Sequence, residues 1–150
     1  SIMITGSHNP SQYNGFKIAI DHKPFFADDI YNLGDKIIAN QDITIPDNRS
    51  YTTVDAKKLY VDWMVDNFLH LKGMPNRFAI DCGNGVANTV LSDILDRLEL
   101  NYTALYCQPD GTFPNHHPDP SVQENLIDIQ NLLKDDIQYG FAYDGDADRI

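Results

Sequence analysis

The sequence predicts an α/β protein built on mostly parallel sheets with flanking helices, in βαβαβ order. Three observations point there. Short apolar runs at residues 78–82, 102–107 and 138–143 alternate with amphipathic stretches at 86–98 and 121–134. The apolar runs have strand length, and the stretches between them are long enough for helical crossovers, which parallel strands require. Each run also ends in a polar loop: Gly83-Asn84-Gly85, residues 109–120, and residues 144–149. Ligands of open α/β sheets bind beyond the carboxyl ends of the strands, so these loops are the first places to look for chemistry.

The preceding elements are less regular. Ser1-Ile2-Met3-Ile4-Thr5 is apolar and β-branched, and a loop rich in Gly, Ser, Asn and Pro follows at residues 6–15. Residues 16–20 form a second strand candidate, ended by Asp21-His22-Lys23-Pro24 as a turn. Over residues 27–39, Ile30, Leu33 and Ile37 recur at helical spacing despite Gly34. Residues 40–53 are polar and turn-rich, with Pro46, Asp47 and Asn48, and read as a linker. The expected division is therefore 1–52, the C-terminal part of a first α/β domain, and 53–150, a second α/β domain. Asp55 can cap a helix carrying Leu59, Trp63 and Phe68 along one face. Tyr60, Trp63 and Met64 read as core rather than as a cofactor box.

A hydrophobic content of 42% with 11% aromatics supports a packed core and excludes a disordered acidic tail. The formal charge of −11 disfavours nucleic acid and anionic membrane as partners, since neither meets a basic surface. An anionic small substrate requires local cations that override that field. Cys82 and Cys107 lie in apolar surroundings and read as reduced, buried thiols of a cytoplasmic protein rather than as a disulfide. No stretch approaches the roughly 20 apolar residues of a membrane span, and the first residues carry no charged leader. Opening in a β-type run and stopping just after a charged loop, the chain reads as a segment of a longer protein.

Two loops carry the chemistry. In Asp144-Gly145-Asp146-Ala147-Asp148-Arg149, three carboxylates at i, i+2 and i+4 can face one side, with Gly and Ala between them to prevent crowding. Three such carboxylates repel one another unless a cation sits among them, and hard oxygen ligands suit Mg²⁺ or Ca²⁺. An EF-hand requires Gly where Arg149 stands, which argues against a calcium hand. A solvated acidic turn is the bland alternative. Arg149 suits a phosphate, whose oxygens accept its forked donors.

The second loop is Thr5-Gly6-Ser7-His8-Asn9-Pro10. Gly6 frees the backbone and Pro10 fixes the exit, so Ser7 is presented at a tip beside the imidazole of His8. On these residues alone, a structural turn remains an equal reading. Lys17 could supply a charge or a proton, although a lone Lys is more often a surface residue. His116-His117 suggests a metal site, but tandem histidines point apart, and Pro114, Pro118 and Pro120 favour a rigid spacer.

Together these loops resemble the α-D-phosphohexomutase family. Thr5 to Pro10 followed by Asn14-Gly15-Phe16-Lys17 is similar to its phosphoserine loop, and Asp144 to Arg149 to its metal loop. Asp81-Cys82-Gly83-Asn84-Gly85 and residues 110–120 are similar to its second-domain signatures. The likeness runs in order over nearly the whole chain and is nearest to the bacterial branch acting on mannose and glucose phosphates. It implies a fragment of a four-domain protein, covering the end of domain 1 and most of domain 2.

The resemblance implies an isomerase of the phosphotransferase type, interconverting hexose 6-phosphate and hexose 1-phosphate. Ser7 carries the phosphoryl group, and the sugar passes through a 1,6-bisphosphate. Asp144, Asp146, Asp148 and a phosphoserine oxygen of Ser7 hold Mg²⁺, Arg149 neutralises charge on the moving group, and Lys17 with His8 handles the hydroxyl proton. The expected partner is a sugar phosphate, with the full-length protein a monomer or weak dimer. Sugar-selecting and distal-phosphate residues are implied to lie in domains 3 and 4. Two competing readings are a metal-dependent phosphatase with an Asp nucleophile, and a cation-binding structural module.

Overall fold

The computed structural model describes residues 1–6, 12–42, 44, 50–134 and 136–150. It divides into two compact units, Ser1–Val54 and Asp55–Ile150.

The first unit holds three antiparallel strands in the order β1 (Ile2–Thr5), β2 (Gly15–Ile20), β3 (Lys23–Phe25), followed by helix α1 (Asp28–Ala39). β1 pairs with β2 from Ile2↔Ile18 to Thr5↔Gly15. The turn expected at residues 21–24 is tighter than its sequence suggests. Asp21 and His22 alone make it, both left-handed at φ 49° and 63°, as a two-residue hairpin with matching twist demands. Lys23 and Pro24 belong to β3, and Pro24 is tolerated there because β3 is an edge strand. Ile30, Leu33 and Ile37 of α1 remain solvent-accessible within this unit, whose short strands offer little apolar area to cover them.

The second unit is a parallel three-stranded sheet, β4 (Arg77–Asp81), β5 (Asn101–Leu105) and β6 (Ile137–Ala142), in the order β5-β4-β6. The expected βαβαβ alternation is realised here. β4 pairs with β5 from Arg77↔Asn101 to Asp81↔Leu105 and with β6 through Phe78↔Tyr139 to Asp81↔Ala142. Covered on both sides and both faces, β4 is the most buried strand, with Ala79, Ile80 and Asp81 all inaccessible. Successive side chains point to opposite faces. Ile80 packs with Cys82, Ala87 and Leu95 on one face, and Ala79 packs with Ile129 and Ile137 on the other.

Three helices supply these layers: α2 (Ala56–Asn67), α3 (Leu91–Arg97) and α4 (Ile127–Leu132). Asp55 caps α2 as its sequence implies, accepting the Lys58 backbone N–H at 2.9 Å. The buried face of α2 differs from the expected one. Val61 and Val65 pack on Ile94 of α3 and Leu98 at its C-cap, with Met64 alongside, whereas Leu59 and Tyr60 are exposed and Trp63 is 58% exposed. Trp63 lies two positions from each valine, roughly 200° around the helix, so both sets cannot face α3.

The stretches expected as long helices are also broken. Residues 86–98 contain a 3₁₀ turn, Ala87–Thr89, before α3, and the Thr89 hydroxyl donates to the Val86 carbonyl. Residues 121–134 open with a 3₁₀ turn, Gln123–Leu126, because Asp119 Oδ1 accepts the amide and hydroxyl of Ser121 and favours a turn there. β5 stops at Leu105 because Tyr106 turns left-handed at φ 51°, which leaves Cys107 outside the strand.

Ile80 is 1% exposed at the centre of this sheet. Residues 55–150 expressed alone should unfold in one cooperative transition, and Ile80→Ala should cost about 2–5 kcal/mol. Urea denaturation followed by circular dichroism checks both. A loss below about 1 kcal/mol would mean that the sheet is not the core of this unit.

Candidate active site at the carboxyl end of the parallel sheet

From β4 the chain crosses to β5 on one side and then returns to β6 on the other. Strand order therefore reverses beside β4, which opens a crevice between the carboxyl ends of β4 and β6. The loops at that crevice are residues 82–86 and 143–149.

After β6, the Tyr143 amide donates to the Asp81 carbonyl at 2.9 Å, extending the pairing by one bond. The chain then curls. Ala147 donates to the Asp144 carbonyl at 3.2 Å, Asp144 donates to the Arg149 carbonyl at 3.2 Å, and Ala147 adopts φ 62°. This curl brings one carboxylate oxygen from each of Asp144, Asp146 and Asp148 within 4.8 Å of the others. Asp144 is fully buried, Asp146 keeps Oδ1 sealed from solvent, and Asp148 is exposed.

Arg149 lies against the buried end of this cluster. Its amide donates to Asp144 Oδ1 at 3.1 Å and its Nε to Oδ2 at 2.9 Å, with Nε 3.8 Å from Asp148. Burial opposes the charge on Asp144, but the backbone amide and guanidinium of Arg149 outweigh it and hold the carboxyl below its usual range. The carboxylate pairs still repel, by about 1 kcal/mol each in bulk water and roughly 3–4 kcal/mol at the effective dielectric of a protein surface. One guanidinium offsets only one of three negative charges. The residual double charge, the all-oxygen donor set and the ångström-scale spacing fit a divalent cation. Among the described residues, this is the acidic group that could hold a metal.

Residues 82–86 form the facing wall. Asp81, at the end of β4 and fully buried, accepts the Gly83 amide on Oδ1 at 2.8 Å and meets His116 Nε2 on Oδ2 at 3.1 Å. Asn84, left-handed at φ 57°, donates its amide to Tyr106 O and its side chain to Gln108 O, and accepts from Asn115 Nδ2 on Oδ1. The His116 ring rests edge-on against Tyr106, while His117 turns away to pack on Phe113. The tandem histidines thus point apart, and His116 serves the loop as an anchor. Sequence reasoning missed Asp81 and His116 as a pair, since nothing local joins residues 35 positions apart.

Cys82 and Cys107 are free thiols with Sγ atoms 3.4 Å apart. Burial pushes both thiols up, so neither is a nucleophile at neutral pH. Lys17 is exposed on β2 in the first unit, opposite Met3. Ser7 and His8 fall outside the described residues.

A switch-point crevice in an α/β sheet, closed by an acidic loop that suits a metal, is where ligands of such sheets bind. A family model described as phosphoglucomutase/phosphomannomutase, alpha/beta/alpha domain II, matches residues 58–150, and that of domain I matches residues 1–42. The chain belongs to the phosphoglucomutase/phosphomannomutase family. It is 38% identical over 150 residues to the phosphomannomutase/phosphoglucomutase of Pseudomonas aeruginosa, and 41% identical over 150 residues to the phosphoglucomutase of Neisseria gonorrhoeae. Each match covers 99% of this chain and 32% of the relative. The crystal structure of a family protein from Burkholderia thailandensis superposes with a TM-score of 0.79 at 38% identity, covering 97% of this chain and 31% of that one. The chain therefore spans about a third of the length of these relatives.

The Asp81–His116 contact should matter to stability. His116→Ala leaves a buried carboxylate oxygen without its donor and should cost about 1–3 kcal/mol in urea unfolding, whereas His116→Gln, which retains a donor, should recover part of the loss. Equal losses in the two variants would assign the effect to ring packing on Tyr106 instead.

Proposed function

We propose that this chain is the portion of a hexose-phosphate mutase that carries the phosphoryl group and holds the metal. The reaction interconverts hexose 6-phosphate and hexose 1-phosphate, of mannose, glucose or both, through a sugar 1,6-bisphosphate. The observation that carries the reading is the convergence of Asp144, Asp146 and Asp148 at the switch point of a chain that belongs to this family.

Each residue has a role suited to its chemistry. Ser7 accepts and returns the phosphoryl group. Asp144, Asp146 and Asp148 hold Mg²⁺, which when bound offsets charge on the transferring phosphate. Arg149, half-exposed at 48% and anchored on Asp144, adds fixed positive charge beside that site. Lys17 and His8 exchange the proton of the sugar hydroxyl. Phosphoryl transfer asks a protein mainly for positioning and electrostatic stabilisation, and a buried carboxylate at the end of a rigid parallel sheet provides a firm base for both. The free thiols of Cys82 and Cys107 fit a reducing, cytoplasmic setting. Among the described residues, no helix is long and apolar enough to cross a membrane.

Two substitutions in the full-length enzyme test these roles. Ser7→Ala should lower glucose 1-phosphate turnover by roughly 10³-fold or more with its circular dichroism unchanged, since loss of a covalent nucleophile is seldom recovered elsewhere. Near-normal turnover would exclude the covalent role. Asp146→Asn should raise the Mg²⁺ concentration for half-maximal activity by at least about tenfold, the range in which even supporting partners of a metal act. An unmoved Mg²⁺ dependence would place the metal elsewhere.

A further inference from the structure

The wall facing the acidic loop meets it backbone to backbone. The Gly145 carbonyl, on the backbone between Asp144 and Asp146, accepts the Val86 amide at 3.0 Å. Gly85 lies flat against the same group. A Cβ built on Gly85 would stand 2.8 Å from the Gly145 oxygen, 3.0 Å from its Cα and 3.1 Å from the Cys82 carbonyl oxygen. All three obstacles are backbone, so none can swing aside as a flexible side chain would. Any side chain at residue 85 must push the acidic loop away or deform its own turn.

That turn has little freedom to deform. The Gly85 amide donates to Cys82 O at 2.7 Å, and Asn84 is tied to Tyr106, Gln108 and Asn115 as described above. On its far side, a Cβ on Gly83 would meet Pro118 at 2.9 Å, and Gly83 is itself left-handed at φ 50°. The turn is wedged between the residue 109–120 loop and the acidic loop.

We infer that Gly85 and Val86 are positioning residues for the metal: they hold the Gly145 carbonyl and so set the spacing of the Asp144 and Asp146 carboxylates. The inference rests on the reading of Asp144, Asp146 and Asp148 as the metal ligands. Metal affinity depends steeply on donor spacing, because Mg²⁺ tolerates little departure from octahedral geometry. Groups that only orient the ligands commonly change affinity by about 10–100-fold. The Val86 amide and the absent side chain of Gly85 act through Gly145 in this way, one by attraction and one by close contact.

The test is Mn²⁺ binding to the full-length enzyme, followed by electron paramagnetic resonance of the free ion, so that no turnover is involved. Gly85→Ala should weaken Mn²⁺ by about 10–100-fold. Val86→Pro, which replaces the donating N–H by a methylene aimed at the same carbonyl, should do likewise. Gly83→Ala disturbs the opposite side of the turn, strains a left-handed residue, and should lower the melting temperature while leaving Mn²⁺ affinity within about threefold. Unchanged affinity in Gly85→Ala and Val86→Pro, or an equal loss in Gly83→Ala, overturns the inference. Asp146→Asn serves as the reference: if it alone weakens Mn²⁺ the positioning role fails, and if it does not, the metal reading itself fails. Should Gly85→Ala and Val86→Pro both fail to fold, amide exchange in the unmodified enzyme decides. Mg²⁺ should then slow exchange at Val86 and not at Gly73, whose amide donates to the Leu98 carbonyl; equal response at the two amides counts against the inference.

Discussion

Parallel pairing on both sides of β4 is the constraint from which the rest of the second unit follows. Parallel neighbours put all three carboxyl ends at one edge, and they require crossovers that carry helices onto the sheet faces. β4 pays for its central place with complete burial, which suits Ala79 and Ile80 but also seals Asp81 away from water. A buried carboxylate must be satisfied, and the Gly83 amide and His116 ring satisfy it. The strand that organises the fold thereby fixes the loop beyond its own end. Because β6 lies on the other side of β4, that loop faces residues 143–149 across the switch point.

The acidic loop is a place where charge runs against stability. Three carboxylates within 4.8 Å destabilise the folded chain relative to a neutral turn, and one of them is buried outright. Backbone hydrogen bonds from Ala147 and Asp144, the Arg149 ion pair and the Val86 contact hold the loop closed against that repulsion. Such prepaid strain is what a cation site needs, since ligands already gathered lose little entropy when the ion arrives. The Arg149 guanidinium also gives the loop a mixed character: it pairs with buried Asp144 and lies near Asp148, yet one positive charge among three carboxylates leaves the loop net negative.

Much of the architecture was legible in order and type of element. Alternating short apolar runs and amphipathic stretches identified a parallel sheet, because only crossover topology accommodates that rhythm. Boundaries and faces were less legible. Helix α2 shows why: both the Val61–Val65 pair and the Leu59–Trp63 pair recur at i, i+4, and periodicity cannot say which stripe meets a neighbour. The choice falls to the neighbouring α3, whose Ile94 and C-cap Leu98 pack with the valines. Likewise, the helical pattern over residues 121–134 could not reveal that Asp119 captures Ser121 and delays the helix by a 3₁₀ turn.

For the candidate site, the division is between chemistry and placement. The sequence by itself determined the acidic group: Asp144, Asp146 and Asp148, close in the chain, had to share a neighbourhood whatever the fold, and the family resemblance lay in such local runs. Only the tertiary structure decided that Asp144 is buried while Asp148 is exposed, that Arg149 turns inward onto Asp144, and that Gly85, some 60 residues from the acidic loop, leaves room for the Gly145 carbonyl. Which carboxylates gather is a property of a short segment, written in neighbouring residues. What packs against that segment depends on distant backbone, and no local pattern encodes the approach of two loops brought together by strand order.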